Sequence, residues 1–471
     1  MNLAHVLSES QVVQISEAAE GLLETTGFKV LDEEALGDCA KAGAKVDPSN
    51  GLVRLPRALL RELLAQVPRK YLISGIDGRT YEVGGGEQWG VAIVTDPWIV
   101  DYATQTPRRP RLEDLRRHTL IAQSMDHVAA ISCMDYPVTD VEGPSSSLRA
   151  WEEHLLHHTK HTLFAPADEG RVRQWQEILE IIVPEGERGR GPLFSVMVAV
   201  ISPLSISKFN VDLMRMAVRH GAPIVPTICP MAGSTAPYSL VGALLQGHVE
   251  NLFMAALTQI LCPGHPFQYA FGPSVMGMRS GHDRYYTLDK VLWKSAAVQL
   301  ARACGPPVTA ECGGTMTYRY DPQAGMEGSL FMLAAVASGA DLLAGFGSCF
   351  TGMGMSAEFM LVQEAWMKAA RFLLRGIGTE GLGDAIESIR KAGPGGEFLT
   401  DDLTLRNLHG DEFFSDCLFD TSARPEESRS MLERAHDRVE EILAKAQSPV
   451  PHPIQERIGR YFRDARGKTC F

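Results

Sequence analysis

The chain has 471 residues, 45% of them apolar and 22% charged, a make-up that suits one large α/β barrel with extensions or two ordinary domains. Its formal net charge of −12 argues against nucleic acid or an anionic membrane as a partner, since both call for a basic face. The nine cysteines form no C-x-x-C pair, no basic region leads into an apolar N-terminal stretch, and no run of 18 uncharged apolar residues occurs; the expectation is a cytoplasmic protein with reduced thiols, no signal peptide and no membrane span.

Residues 8–30 carry apolar positions at helical spacing behind the candidate caps Ser8 and Ser10. Further helices are expected at 33–42 and 56–66, either side of the turn DPSNG and the short extended VRLP. Residues 1–70 therefore read as an N-terminal helical extension. From 71 to 104, YLISGIDG, YEVGGG and WGVAIVTDPWIVDYAT read as short strands between Gly-rich turns, a β-rich lead-in packed across one end of a barrel, with Trp89 and Trp98 in need of burial.

A regular alternation then begins. Candidate strands lie at 127–134, 161–167, 192–203, 222–230, 266–272, 306–311 and 341–347, and helical stretches at 147–158, 171–182, 206–220, 240–261, 287–303, 325–338 and 357–374. Apolar strands alternating with helices argue for parallel βα units. Seven strands need an eighth for closure, to be found in 71–104 or after 375, and the fold expected is a TIM (β/α)8 barrel over 71–400; an open doubly wound sheet is the alternative. Residues 401–471 form a C-terminal tail with a charged helix near 425–447, a cover or an oligomer contact.

Barrel chemistry sits where the strands end. Those positions carry Asp135, Tyr136, Phe164, Asp168, Ser202, Met231, Ser234, Phe271, Glu311, Phe346 and Phe350, a mouth short of lysines and without a repeated carboxylate cluster. The histidines of EEHLLHHTKHTL have spacings that could bind a metal, but helix ends often carry histidine opposite the dipole and no further ligand is evident. Gly84-Gly-Gly and the glycines of 345–354 match no phosphate-binding pattern, and no G-x-S-x-G elbow occurs. Cys312 has no basic neighbour to lower its pKa. What remains is an isolated acid, Glu311, among aromatics: Tyr318, Tyr320, Phe346, Phe350, Tyr269 and Phe271. Rings beside a carboxylate suit a quaternary ammonium, whose diffuse charge is held by ring quadrupoles; the bland alternative is that these rings are barrel core or lid packing.

Several stretches, in order, resemble the trimethylamine methyltransferase family over nearly the whole length: LLETTGFKVLDEEAL, AGAKVDPSNGLVRLPRALL, RRPRLEDLRRHTLIAQSMDHV, ISPL, HGAPIVPTICPMAGSTAPYSLVGALLQGHVENL, GMRSG, DPQAGMEGS and AGPGGEFL. The resemblance implies a TIM barrel and methyl transfer from a small amine to the Co(I) corrinoid (cobalamin) of a cognate partner protein, with no metal bound by this chain. The founding enzymes carry pyrrolysine near the loop that here reads Glu311-Cys-Gly-Gly-Thr, and none is written here. That points to the branch thought to demethylate quaternary amines such as glycine betaine. The run Thr315-Met-Thr-Tyr-Arg-Tyr also departs from the family pattern. In this reading Glu311, Tyr318 and Tyr320 are the catalytic candidates, with Glu311 a counter-charge. Phe346, Phe350 and Phe271 line the cation site, Arg279 or Arg319 takes a substrate carboxylate, and Gln323 with Asp321 and Glu327 orients the loop. A homo-oligomer is expected. The alternative function is a non-catalytic barrel that binds a methylated amine or a corrinoid protein; a metal-dependent hydrolase or lyase is a third.

Overall fold

Eight parallel strands form one sheet: Trp89–Ile93, Val128–Met134, His161–Ala165, Phe194–Ala199, Ile224–Thr227, Tyr269–Ala270, Val308–Glu311 and Leu342–Phe346. The computed structural model describes residues 4–94, 96–134, 138–143, 146–182 and 191–469. Strands adjacent in this order pair side by side, except at one seam, and the first pairs with the last through Leu342↔Trp89 and Leu343↔Gly90. The remaining seam, between the fifth and sixth strands, is sewn by the parallel bridge Ile224↔Phe267, where the Ile224 N–H donates to Pro266 O at 3.1 Å and the Gln268 N–H donates to Ile224 O at 3.0 Å. A TIM-type (β/α)8 barrel results, and the strand that closes it is Trp89–Ile93, first in chain order and inside the 71–104 stretch. Its strands read as continuous apolar runs because both faces are covered; Val128, Ala129, Ala130 and Ile131 are all fully buried.

The lead-in does three different things. A hairpin of Tyr71–Ser74 and Thr80–Val83 plugs the end where the strands begin, packing Tyr71, Ile73, Tyr81 and Val83 on Val91, Ala130, Leu163 and Leu342. The Tyr71 hydroxyl donates to Gln268 Oε1 at 2.9 Å, which satisfies two buried polar groups at once. Trp89–Ile93 enters the barrel wall. Trp98–Val100 joins a small sheet with Pro107–Arg108, Gly354–Met355 and Ser348–Cys349, built from segments that follow the first and eighth strands.

The N-terminal extension is mixed rather than helical. Its first helix, Glu9–Thr25, starts at a Ser8–Gln11 capping box and stops well before residue 30. Gly27, at φ 82°, turns the chain into strand Phe28–Leu31, and a Cβ there would lie 2.5 Å from Val53 O. That strand pairs with Leu52–Arg54 and, from the barrel, with Ser205–Ser207, so the extension is stitched to the loop after the fourth strand. Helix Leu240–Leu261 is apolar on every side because it is sandwiched between Glu9–Thr25, Arg57–Leu64 and Asp289–Cys304. Among the described residues it is the one helix long and apolar enough to cross a membrane, and most of it is buried in the fold.

The tail holds more than one charged helix. Met431–Lys445 packs on Leu112–Ser124 and Ala357–Arg375, and a second helix, His452–Thr469, packs on Ser146–Leu156 and Glu169–Ile182. The latter has a net basic, weakly apolar sequence, which hid its amphipathic stripe of Ile454, Ile458 and Phe462, all buried.

Candidate active site

Glu311 ends the seventh strand, and its carboxylate meets two ammonium groups from the helix just before that strand, Asp289–Cys304. Lys290 and Lys294 are four residues apart, hence on one helix face. Their Nζ atoms lie 2.8 Å and 3.1 Å from Glu311 Oε2, and both side chains are buried. Lys294 also donates to the Phe271 carbonyl, and the Tyr285 hydroxyl donates to Glu311 Oε1. Burial alone would push the Glu311 carboxyl up, yet the two ammonium groups and the Tyr285 hydroxyl outweigh it and hold its pKa at about 2. Burial draws Lys290 down to about 8 against the opposing pull of Glu311, which leaves it protonated at neutrality. The expectation of a mouth short of lysines is therefore corrected. Lysines on a helix that is otherwise core leave no mark at the strand ends themselves.

Aromatic rings complete the cluster. The Lys290 ammonium sits 2.9 Å from the Tyr285 ring centroid and 5.1 Å from that of Tyr286. Tyr286 packs edge-on against Tyr285 and Phe331, and its hydroxyl bonds Ser348 Oγ at 3.2 Å. A carboxylate with aromatic rings does hold a cation here, and the cation is the chain's own lysine. Gly314 is what admits the Tyr286 ring, since a Cβ there would lie 2.2 Å from it. Cys229, after the fifth strand, is exposed beside the same group: a Cβ built on Gly272 would meet both Cys229 Sγ and Tyr285 Oη at 2.9 Å.

Tyr318 and Phe350 pack edge-to-face at 5.4 Å, and Tyr320 packs on Phe359 at 5.2 Å while its hydroxyl bonds Ser356 Oγ at 2.8 Å. With Val100 and Cys349 they form one apolar cluster at the small sheet, and among the described residues none of them makes a hydrogen bond to Glu311. Arg319 lies 5.3 Å over the Tyr318 ring. Phe346 is barrel core, fully buried, and Phe271 is core too, fitted against Gly247. Arg279 is exposed in the turn between Ser274–Met276 and Asp283–Arg284. Gln323 donates to Glu327 Oε1 at 2.8 Å, Glu327 Oε2 accepts from the Met316 N–H, and Asp321 caps helix Pro322–Ala337, so these three do orient the loop. That loop is also zipped to the next: the N–H groups of Phe350 and Thr351 donate to the carbonyls of Thr317 and Thr315. The candidates Asp135 and Tyr136 lie outside the described residues.

The other constellations resolve into structural roles. His154 and His158 face each other at 3.0 Å between ring nitrogens, His161 bonds Ser195 Oγ at 2.8 Å, and among the described residues no three His, Cys, Asp or Glu side chains gather as a metal site. The Cys312 thiol is buried, donates to Ala344 O, and is pushed up by burial and by Glu311, so it is no nucleophile at neutrality.

The fold is similar to that of a solved protein, the Methanosarcina barkeri monomethylamine methyltransferase, which shares 12% identity over 99% of this chain and 88% of its own at a TM-score of 0.52. The fold is thus one that amine methyltransferases use. The sequence carries the point further: residues 1–467 match the family model described as trimethylamine methyltransferase, and the chain belongs to that family. Relatives include the trimethylamine methyltransferase of Desulfitobacterium hafniense, 24% identical over 98% of this chain and 93% of its own. A glycine betaine methyltransferase from the same species is 26% identical over 98% of this chain and 97% of its own. The protein is a methyltransferase of this family.

Proposed function

We propose that this methyltransferase removes a methyl group from a quaternary amine that also bears a carboxylate, of the glycine betaine type, and hands it to the Co(I) corrinoid of a separate partner protein. The observation that carries the choice of amine is the charge count at Glu311, where two buried ammonium groups stand against one carboxylate. A bare methylated cation gains nothing from a net positive cluster, whereas a zwitterion can turn its carboxylate to it. The glycine betaine methyltransferase among the relatives supports the same reading.

The partner's corrinoid supplies the nucleophile, and the electrons of the broken C–N bond leave with a neutral tertiary amine. No proton need be delivered to the leaving group. The barrel's task is to strip water from the cation and aim one methyl carbon outward, which is positioning rather than acid–base work. Support for a protein partner over the mouth comes from Ile201, Tyr238, Val241, Met278, Met326 and Met353, exposed by 41 to 62% in segments that follow barrel strands. Exposed Leu382, Ile386 and Ile389 on helix Leu382–Ala392 support a homo-oligomer in the same way.

The test is loss of the cob(I)alamin absorption band when protein is mixed with candidate amines under reducing conditions. Glycine betaine is expected to react, and trimethylamine and tetramethylammonium to react poorly or not at all. Silence across a broad panel of quaternary amines sinks the reading, and saturable binding without transfer makes the protein a methylated-amine binder instead.

A further inference from the structure

Among the described residues, four aspartates are buried: Asp32, Asp96, Asp114 and Asp341. Three of them pair with arginine, Asp32 with Arg215 at 2.8 Å, Asp114 with Arg108 at 2.7 Å and Asp341 with Arg302 at 2.8 Å. Asp96 is the exception. Its residue is 3% exposed, Oδ2 has no hydrogen-bond partner, and no ion pair to it occurs among the described residues. A carboxyl so placed is costly, because nothing replaces the water it has given up.

Its location argues against an accident of packing. Asp96 follows the first barrel strand, Trp89–Ile93, on the side where the strands end, and the chain just beyond is anchored by the Trp98 N–H donating to Met353 O at 3.0 Å. Burial raises the Asp96 pKa well above the ordinary carboxylate range, so with no cation beside it the carboxyl holds its proton, and a cation that reached it would draw that proton off. Glu311 ends the strand Val308–Glu311 of the same parallel barrel, so the two carboxyls stand at the same end of it. They are not equivalent: Glu311 is ion-paired with both Lys290 and Lys294 and accepts from the Tyr285 hydroxyl, so its charge is already countered within the chain. Among the described residues, Asp96 has no such partner.

We propose that Asp96 is the group that takes the positive end of the substrate, while the Lys290–Lys294 pair faces the negative end. This rests on the methylated-amine reading above. The ligand class is a small zwitterion whose cationic and anionic groups are separated by a short spacer, and Asp96 makes the site prefer a quaternary nitrogen over a quaternary carbon of the same shape. A quaternary ammonium cannot donate a hydrogen bond, so the preference is coulombic and is strong only because the carboxyl is buried.

The experiment compares glycine betaine with its carbon isostere 3,3-dimethylbutanoate by titration calorimetry on the purified chain. The wild-type protein is expected to bind glycine betaine at least about a hundredfold more tightly, the order set by uncovering one partner of a buried ion pair. Asp96→Asn is expected to bind the two alike and Asp96→Glu to keep part of the preference. Without ligand, Asp96→Asn is expected to unfold at the wild-type temperature or above it, since no protein partner is lost. A preference that survives in Asp96→Asn overturns the assignment and leaves the methylated-amine reading standing. An Asp96→Asn protein less stable than wild type marks Asp96 as structural and also overturns it. Wild-type protein that binds neither compound removes the substrate reading and the assignment together.

Discussion

Two clusters grow from the ends of neighbouring strands, and they solve opposite problems. Around Glu311 the chain brings two ammonium groups, a hydroxyl and two tyrosine rings onto one carboxylate, all with little contact with water. Around Tyr320 it packs Tyr318, Phe350, Phe359 and Trp366 on one another, with one hydroxyl pair, Tyr320 to Ser356, at the edge. The first cluster is electrostatically expensive to assemble and fails if a member is removed. The second is ordinary apolar packing that spreads its stabilisation over many contacts. In the proposed function the substrate meets the buried, paired charge, and the rings that touch only rings are left as packing.

That contrast can be broken by substitution. Glu311→Gln leaves Lys290 and Lys294 facing each other without an anion, and is expected to cost about 3–5 kcal/mol in chemical denaturation together with methyl transfer. The same residue fixes an acid dependence. Its pKa falls from an ordinary 4.5 to about 2 on folding, so its stabilisation is complete above 4.5 and is lost as pH drops towards 2; a urea series over that range should slope in wild type and flatten in Glu311→Gln. Gly314→Ala forces a methyl group into the Tyr286 ring, with an expected cost of about 1–3 kcal/mol and weaker glycine betaine binding by calorimetry. Tyr320→Phe removes the hydroxyl's bonds to Ser356 Oγ and, more weakly at 3.4 Å, to Val100 O, so about 0.5–1.5 kcal/mol of stability and no change in KM are expected. A Tyr320→Phe enzyme as crippled as Glu311→Gln would erase the distinction between the two clusters.

Much of the barrel was legible before any coordinates. Seven strands and their helices stand where apolar runs and helical periodicity put them, because those patterns are local. Trp89–Ile93 was harder to recognise as a barrel strand, since the turns around it look like those of a meander, and only pairing with Leu342–Phe346 and Val128–Met134 separates it from its neighbours. Of the site, Glu311 was visible as a lone acid at a strand end. Lys290, Lys294, Tyr285 and Tyr286 were not, although the run Arg284-Tyr-Tyr-Thr-Leu-Asp-Lys-Val-Leu-Trp-Lys carries a usable signal, two lysines one helical turn apart on an otherwise apolar helix.

Residue order alone determined the class of fold, the alternation of strand and helix, and membership of the family, because each rests on short-range pattern or on the order of motifs. Which charges meet was decided by tertiary structure. Glu311 finds its lysines only when the helix Asp289–Cys304 lies against the strand that follows it, and Asp96 Oδ2 is buried without a hydrogen-bond partner among the described residues only in the packed barrel. Burial turns those arrangements into energies, and burial is a property of the packed chain and not of any segment in it.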